Sequence, residues 1–407
     1  MNGQASLYIH IPFCISKCAY CDFFSKPEGN KAEGRSVISD DYVTSLCNEI
    51  VFRFKQNQIK QLKTIYIGGG TPSLLKKNQF EKIFNTIKAA VTLVPQCEIT
   101  VEVNPDDVTD ALLESLSECG VNRISCGIQS MNDSALKKAC RRADAFTNRT
   151  TLNLLQEKWQ GDISVDLISG LPGDDENTLL ASLKEVCEIN PAHISLYSLT
   201  IEEETAFGKQ LISGALKYDF DKADSLWLLG RDFLETNGYK WYEVSNFCRE
   251  GKECLHNLAY WTHADYIGCG SGATGTVYDK NGEGLRWTNS QNIEAYIDFW
   301  KDTDSVKNNA ALQTIQNQET IDFETSEFEF FMMGLRKVRG IYASEYENAF
   351  GRKLPEKFIT LFNSWEQKGL CEKRERLSED CEWGGDWQYC MSREGMLFLN
   401  RFLEELC

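Results

Sequence analysis

Short apolar runs alternate with amphipathic stretches from residue 6 to about residue 244 of this 407-residue chain. The apolar runs have the length and β-branched composition of buried strands, and the stretches between them repeat apolar residues at helical spacing. The pattern predicts six strands, at 7–11, 64–67, 98–103, 123–127, 164–168 and 193–199. It predicts helices at 41–55, 79–90, 109–117, 177–189 and 221–237. Alternating strands and helices favour an α/β protein with six parallel strands, either an open sheet or a partial (β/α)6 barrel.

The pattern changes after residue 244. A segment with two cysteines, a histidine and several aromatics, from Cys248 to Trp261, leads into a glycine-rich stretch that we expect to be a flexible loop. Farther on, helical periodicity at 323–338, 344–350, 355–368 and 392–405 surrounds a short strand at 387–391. We therefore expect a core at 1–240, a segment at 241–310, and a small α-rich, winged-helix-like C-terminal domain at 311–407 that covers the open side of the barrel.

The net charge of the chain bears on which classes of binding partner are expected. It carries 43 Lys and Arg against 60 Asp and Glu, a formal net charge of −17. A protein that follows a nucleic-acid backbone needs clustered Lys and Arg, so nucleic acid is not an expected partner. The sequence shows neither a signal peptide nor an apolar run of membrane-spanning length. Its 16 cysteines are not expected to form a disulfide framework, which belongs to small secreted domains. We expect a cytoplasmic protein in a reducing compartment.

Three cysteines directly after the first predicted strand carry the strongest chemical signal. Cys14, Cys18 and Cys21 are spaced Cys-x3-Cys-x2-Cys on one short loop. Three thiolates can bind three irons of a [4Fe–4S] cube and leave the fourth iron open to a small molecule. A zinc site with three thiolates is chemically reasonable as well, and 16 cysteines make a chance triplet plausible.

Further candidate residues follow the other predicted strands. Glycines 68–70 follow the second strand, Glu102 is near the end of the third, Gln129 follows the fourth, and Asp166 lies in the fifth. Glu102 could accept hydrogen bonds from a bound amine or ribose, or could cap the next helix. An aspartate in an apolar strand is costly unless paired, and Arg141 could be its partner or could bind a ligand carboxylate. Because ligands bind at the carboxyl ends of parallel strands, these residues predict one site.

One of the four histidines stands among the aromatics of the later segment. His256 could be an axial ligand of haem iron, or a histidine whose ring is satisfied by neighbouring backbone groups. The residues alone favour the second interpretation.

The motifs together resemble the radical S-adenosylmethionine (SAM) proteins of the oxygen-independent coproporphyrinogen III oxidase group. The resemblance covers nearly the whole chain and rests on the run from Tyr8 to Cys14, the cysteine spacing, Gly-Gly-Gly-Thr-Pro at 68–72, Glu-Val-Asn-Pro at 102–105 and Asp-Leu-Ile-Ser-Gly-Leu-Pro at 166–172. Phe23 stands where the oxidase has a further cysteine, and His-Asn-x-x-Tyr-Trp at 256–261 is similar to the haem-binding signature of a haem-chaperone branch. Thr274 stands in the glycine-rich stretch where members commonly have histidine, which leaves a second contact there open.

This resemblance implies cofactors and site residues. The three cysteines would bind a [4Fe–4S] cluster whose fourth iron chelates SAM, and His256 would contact haem. The residues that match contacts to a first SAM are Tyr8, Gly69, Glu102 and Thr200. Those that match contacts to a second SAM in the oxidase are Gly70, Thr71, Gln129, Arg141 and Asp166.

The function implied by the resemblance is haem binding and delivery to haem proteins, with respiratory, membrane-associated acceptors that would bring the protein to the inner membrane. The resemblance leaves homodimerisation open. A competing function is the anaerobic decarboxylation of coproporphyrinogen III, against which Phe23 counts. A second is radical modification of RNA, which the acidic charge disfavours.

Overall fold

A computed structural model describes residues 3–27, 38–302, 309–376 and 386–407. Its strands are β1 (Gln4–Ile11), β2 (Phe13–Cys14), β3 (Lys26–Pro27), β4 (Gln61–Gly69), β5 (Thr92–Val103), β6 (Arg123–Gln129), β7 (Asp162–Ser169), β8 (His193–Ser198), β9 (Lys240–Glu243), β10 (Asn246–Cys248), β11 (Tyr266–Cys269), β12 (Thr274–Tyr278), β13 (Gly284–Asn289), β14 (Gln316–Ile321), β15 (Ile341–Tyr342), β16 (Cys371–Arg376) and β17 (Asp386–Met391).

The helices flank these strands. They are α1 (Asp40–Gln56), α2 (Lys77–Ala90), α3 (Asp110–Cys119), α4 (Asp133–Lys138), α5 (Ala145–Lys158), α6 (Glu176–Glu188), α7 (Ala206–Ile212), α8 (Phe220–Thr236), α9 (Leu255–Trp261), α10 (Ile293–Trp300), α11 (Asn309–Leu312), α12 (Phe323–Gly334), α13 (Ala343–Phe350), α14 (Glu356–Glu366) and α15 (Leu399–Leu406). Short 3-10 helices lie at Pro72–Leu74, Pro105–Asp107 and Gly395–Phe398.

One twelve-stranded sheet organises the fold, in the order β14-β13-β12-β11-β1-β4-β5-β6-β7-β8-β10-β9. The stretch from β11 to β8 is parallel, and the strands outside it are antiparallel. The six predicted strands correspond to β1 and β4 to β8, which confirms the α/β fold class. Because β1 pairs with β11 and β8 with β10, the six strands do not close on each other. The parallel part is therefore a partial barrel.

The helices between these strands begin and end where their capping residues dictate. The Thr109 hydroxyl accepts a hydrogen bond from the Leu112 N–H at the start of α3, and Gly120 ends the helix at φ +89°. The pattern missed α5, because this helix buries polar residues. The buried Asn148 amide donates to the carbonyls of Ile128 and Ser130 rather than adding to an apolar stripe.

The segment after the barrel extends the sheet, so the prediction of a flexible glycine-rich loop is wrong. Gly268 lies in β11 and Gly275 in β12, and a Cβ at Gly268 would be 1.9 Å from the Thr274 carbonyl oxygen. Buried Arg53 of α1 ties this extension to the barrel, since it pairs with Glu49 and donates to the Asn289 side chain. The glycines are needed for close packing of the chain.

The C-terminal part combines helices with a three-stranded antiparallel sheet in the order β15-β17-β16. Its core is aromatic: the Phe331 and Phe358 rings stack at 4.4 Å, and Phe362 meets Tyr389 edge to face. The predicted helix at 323–338 ends at Gly334, and the one predicted at 392–405 is a 3-10 turn followed by α15. The winged-helix description and the three-domain division stay predictions. None of the helices in the described ranges combines the length and apolar character that a membrane span requires.

Candidate functional site

A cavity of about 360 Å³ lies at the carboxyl ends of the parallel strands. Eleven of the predicted site residues line it: Cys14, Cys18, Cys21, Gly69, Gly70, Thr71, Glu102, Gln129, Arg141, Asp166 and Thr200. Cys14 follows the first strand of the partial barrel and Thr200 follows the sixth. The curvature of the sheet thus brings all six strand ends to one cavity. Two predicted residues, Tyr8 and His256, do not line it.

The three cysteines lie on a loop that backbone hydrogen bonds hold against the barrel. The Cys21 N–H donates to the Cys18 carbonyl at 3.3 Å, and the Ala19 N–H donates to the Ala139 carbonyl at 2.9 Å. Each thiol is free and half-buried. The Thr71 hydroxyl donates to Cys14 Sγ at 3.5 Å, and Arg141 Nη1 donates to Cys18 Sγ at 3.4 Å. Donors directed at sulfur stabilise the thiolate form that ligates iron.

The arrangement suits a cluster better than a single ion. Across the described residues, no three His, Cys, Asp or Glu side chains converge as they would around one metal ion. In a [4Fe–4S] cube each thiolate binds a different iron, so the sulfurs need not meet at a point. Three free thiols on one cavity wall, with a hydroxyl and a guanidinium directed at two of them, fit such a cube.

Glu102 faces this cavity from β5. Its carboxylate accepts hydrogen bonds from the Tyr66 hydroxyl at 2.8 Å and from the Gly69 N–H at 3.1 Å. Burial raises the pKa of Glu102 to about 7. Gly69 has φ +111°, and a Cβ there would be 2.5 Å from the His10 ring, so only glycine fits. The alternative that Glu102 caps the next helix is wrong, because Thr109 caps α3.

Asp166 and Arg141 line the cavity without forming an ion pair. Asp166 accepts a hydrogen bond from the Ser125 hydroxyl at 2.8 Å, and burial raises its pKa. Arg141 Nη2 donates to the Gly127 carbonyl at 2.5 Å and to Asn104 Oδ1 at 3.0 Å. The alternative that Arg141 is the ion-pair partner of Asp166 is therefore wrong, and the guanidinium is instead fixed beside the cysteine loop.

Tyr8 lies away from this cavity. Its hydroxyl shares a hydrogen bond with His10 Nδ1 at 2.8 Å, and its ring stacks on Tyr66 with centroids 6.3 Å apart. It lines a separate cleft together with Phe23 and Thr274. Phe23 is 70% exposed and borders both the cleft and the site cavity. A contact between Tyr8 and SAM stays a prediction.

His256 is buried on the inner face of α9. Its Nδ1 shares a hydrogen bond with Thr64 Oγ1 at 2.7 Å, and its Nε2 shares one with the Tyr260 hydroxyl at 3.0 Å. The ring stacks on Tyr66 at 5.0 Å, and burial lowers its pKa to about 3. Side chains thus satisfy both ring nitrogens. A bond to haem iron stays a prediction that would require one of these hydrogen bonds to break.

Sequence reasoning missed Tyr66, which joins these groups. Its hydroxyl donates to Glu102, and its ring packs against the rings of both Tyr8 and His256. The sequence feature that could have identified Tyr66 is the alternation within β4, where Thr64 and Tyr66 alternate with the apolar residues.

Comparisons with known proteins agree with this geometry. Residues 8–186 match the family model described as the Radical SAM superfamily. The proteins named heme chaperone HemW from Escherichia coli K12 and Bacillus subtilis 168 are 34% and 33% identical to the chain. These matches cover 98% and 91% of this chain, and 97% and 93% of those relatives.

A solved structure extends the comparison to the fold. The coproporphyrinogen III oxidase HemN of Escherichia coli, a radical SAM enzyme, superposes with a TM-score of 0.77 at 20% identity, covering 99% of this chain and 90% of that one. At that identity the likeness shows the fold, and it confirms the predicted partial barrel. The assignment to a family within the superfamily rests instead on the sequence similarity along nearly the whole chain. The chain belongs to the radical SAM superfamily and, within it, to the HemW family.

Proposed function

We propose that this protein is a haem chaperone, which binds haem and delivers it to haem proteins. The observation that carries the proposal is the extent of the similarity to proteins named heme chaperone HemW, which runs over 98% of the chain and so includes the segment around His256. The match to the superfamily model alone ends at residue 186. Support for the haem-chaperone function, rather than for the superfamily in general, therefore comes from the similarity that continues after residue 186.

The site cavity would hold the cofactors. In the proposal, Cys14, Cys18 and Cys21 ligate a [4Fe–4S] cluster. Tyr8, Gly69, Glu102 and Thr200 contact a first SAM, and Gly70, Thr71, Gln129, Arg141 and Asp166 belong to a second site. When bound, the reduced cluster and SAM together supply one-electron chemistry at the sulfonium.

The side chains of the site position these groups. Thr71 and Arg141 orient the thiolates of Cys14 and Cys18, because each directs a donor at one sulfur. Glu102 presents a carboxylate held by Tyr66 and Gly69, which suits an ammonium or a ribose hydroxyl.

We further propose respiratory haem proteins at the membrane as acceptors, which would place the chain at the inner membrane as a peripheral protein. The acceptors and the location at the membrane rest on the family resemblance alone. The net charge of −17 supports a partner other than nucleic acid.

An anaerobic assay separates this function from the oxidase. Given coproporphyrinogen III, SAM and reductant, the reconstituted chain should form no protoporphyrinogen, while Escherichia coli HemN treated in parallel does. The physical reason is Phe23, an exposed apolar ring at the rim of the cavity where the oxidase has a thiol. The same preparation loaded with haem should transfer it to apomyoglobin, which the Soret band reports. Protoporphyrinogen formation, or haem that is never bound, would reject the proposal.

His256 is part of the proposed haem site. His256→Ala should weaken haem binding roughly tenfold, the loss typical of residues that support a metal site. The cluster content should not change, because His256 lies outside the cavity that holds the cysteines. A haem titration with parallel iron analysis measures both effects.

His193→Ala is the matched control for that variant. His193 is equally buried, and Ser164 and Tyr242 satisfy both of its ring nitrogens. This variant should bind haem as the wild type does. A titration unaltered by His256→Ala would remove His256 from the site.

A further inference from the structure

A buried ion pair in the barrel contacts the start of α9. Glu98 of β5 and Arg123 of β6 pair with 3.1 Å between Glu98 Oε2 and Arg123 Nε. The side chains are only 7% and 4% exposed, so both charges are withdrawn from water. The described lining of the site cavity includes neither residue. The pair is thus separate from the proposed cofactor site.

The Glu98 carboxylate holds the first turn of α9. Its Oε1 accepts a hydrogen bond from the His256 N–H at 2.9 Å, and its Oε2 accepts one from the Leu255 N–H at 3.1 Å. Groups in the first turn of a helix have no acceptor within the helix itself. Within the described chain, Cys254 at the start of α9 caps neither group, and its thiol instead donates to Glu98 Oε1 at 3.4 Å. Glu98 therefore does for α9 what a local capping residue does for other helices.

The Arg123 guanidinium holds the turn that leads into α9. Its Nη2 donates to the Lys252 carbonyl at 3.0 Å and to the Glu253 carbonyl at 3.1 Å. The carboxylate thus holds N–H groups at the start of the helix, and the guanidinium holds the carbonyls just before it. We call Glu98 and Arg123 the α9 clamp. The clamp fixes the chain at 252–256 to two strands of the barrel.

The same level of the barrel also holds the ring of His256. Thr64 of β4 pairs with Glu98 of β5 in the sheet, and its Oγ1 shares a hydrogen bond with His256 Nδ1 at 2.7 Å. Neighbouring strands therefore hold the backbone and the ring of one residue. The place of His256 is fixed relative to the barrel as well as relative to its own helix.

The energetics of the clamp favour a role in placing α9 over a role in stability. A buried ion pair is weak evidence for stability, because desolvation of both charges offsets much of their attraction. A Ser, Thr or Asp in place of Cys254 could satisfy the same N–H groups without burying two charges, as Thr109 does at α3. A helix of seven residues such as α9 is not stable by itself, so its place depends on its contacts with the barrel.

We propose that Glu98 and Arg123 are positioning residues for haem binding, which hold α9 at the place from which His256 contacts haem. The inference rests on the proposed function, in which His256 is part of the haem site. The clamp does not touch haem in this proposal. Glu98 acts through the backbone of His256, and Arg123 acts through Glu98 and the preceding turn.

Glu98→Gln keeps the shape of the side chain but loses the charge that pairs with Arg123. Its amide can accept at one atom only, so one N–H group of α9 loses its partner. Affinity for ferric haem should fall roughly tenfold, the loss typical of residues that orient a metal ligand, and the Soret band should change. Hydrogen exchange followed by mass spectrometry should become faster at 252–261 and stay unchanged in α2. The iron and sulfide content of the cluster should not change.

Glu49→Gln is the matched control for that variant. Glu49 is also a buried carboxylate, pairs with buried Arg53 and accepts a hydrogen bond from the Gly270 N–H at 2.8 Å. It holds the sheet extension rather than α9. This variant should bind haem with the affinity and spectrum of the wild type.

A double variant separates positioning from general support of the fold. In the His256→Ala background, Glu98→Gln should lower haem affinity no further, because the clamp acts through His256. Arg123→Lys keeps the charge but loses the planar fork. It should show the same changes to a smaller extent, which keeps the test valid if Glu98→Gln folds poorly.

The outcomes distinguish this inference from the function on which it rests. Unaltered haem affinity and spectrum in the clamp variants, despite faster exchange at 252–261, would overturn the positioning role. Losses that add fully in the double variant would overturn it as well. A wild-type chain that binds no haem, or a His256→Ala chain that binds it unaltered, would instead reject the proposed haem site.

Discussion

Replacing Cys18 with alanine should remove the iron and acid-labile sulfide from the anaerobically reconstituted chain and leave the fold intact. A cube held by three protein thiolates has no spare protein ligand, so the iron content should fall from roughly four atoms per chain to nearly none. The fold should survive because the Cys18 side chain is half-buried on a loop, where its sulfur accepts a hydrogen bond from Arg141. Iron and sulfide assays, with circular dichroism for the fold, measure the outcome.

Cys407→Ala is the matched control for the cluster. Cys407 is exposed at the end of the chain, and its thiol makes no contact with the cavity. This variant should retain the wild-type iron content. Full iron in Cys18→Ala would place the ligands among the other thirteen cysteines and reject the assignment of the loop.

The parallel core was predictable because its strands are buried on both faces. Ile65 and Ile67 of β4, for example, are fully buried and give the continuous apolar signal that marks a central strand. Once the strands are known, the rule that ligands bind at their carboxyl ends brings residues as distant as Cys14 and Thr200 to one cavity. The sequence was thus sufficient to predict which strand ends converge on this cavity.

The position of each residue along the barrel axis could not be predicted from the sequence, because this position depends on the register between neighbouring strands. Tyr8 pairs with Tyr66, which pairs with Thr100, so these residues share one layer. Glu102 lies two residues farther along β5, roughly 7 Å closer to the cavity. Tyr8 therefore lies beneath the site although it precedes the cysteine loop by only six residues.

The packing of the later segment was not predictable either. Beyond β11 its strands pair antiparallel and are partly exposed. Gly268 and Gly275 interrupt the apolar pattern where β11 and β12 approach closely. In sequence, such glycines look the same as those of a flexible loop. α9 likewise has one face that buries His256 and another that carries the half-buried Leu258. Only the tertiary fold shows which face is buried.

Glu102→Gln should greatly weaken SAM binding and yet stabilise the protein at pH 8. The amide keeps the shape of the side chain but loses the charge that would attract the SAM ammonium. Burial raises the pKa of Glu102 to about 7 from its ordinary value near 4.5. The folded state therefore carries a buried charge above pH 7, and the stability that the neutral carboxyl contributes at low pH is lost as the pH rises through 7. The neutral amide avoids that loss.

The stability gain at pH 8 should be about 1–2 kcal/mol, since water in the open cavity screens part of the burial effect. It should shrink as the pH falls toward 4.5, where Glu102 is neutral in the folded wild type as well. Wild-type SAM binding should weaken over the same range, because the carboxylate form is lost. Glu114→Gln, on the exposed face of α3, should alter neither property. Calorimetric titration and denaturant unfolding at pH 5, 7 and 8 measure both effects. If the variant loses both SAM binding and stability, Glu102 supports the barrel through Tyr66 and Gly69. If it loses SAM binding but gains stability, the carboxylate is retained for its ligand at the expense of the stability of the fold.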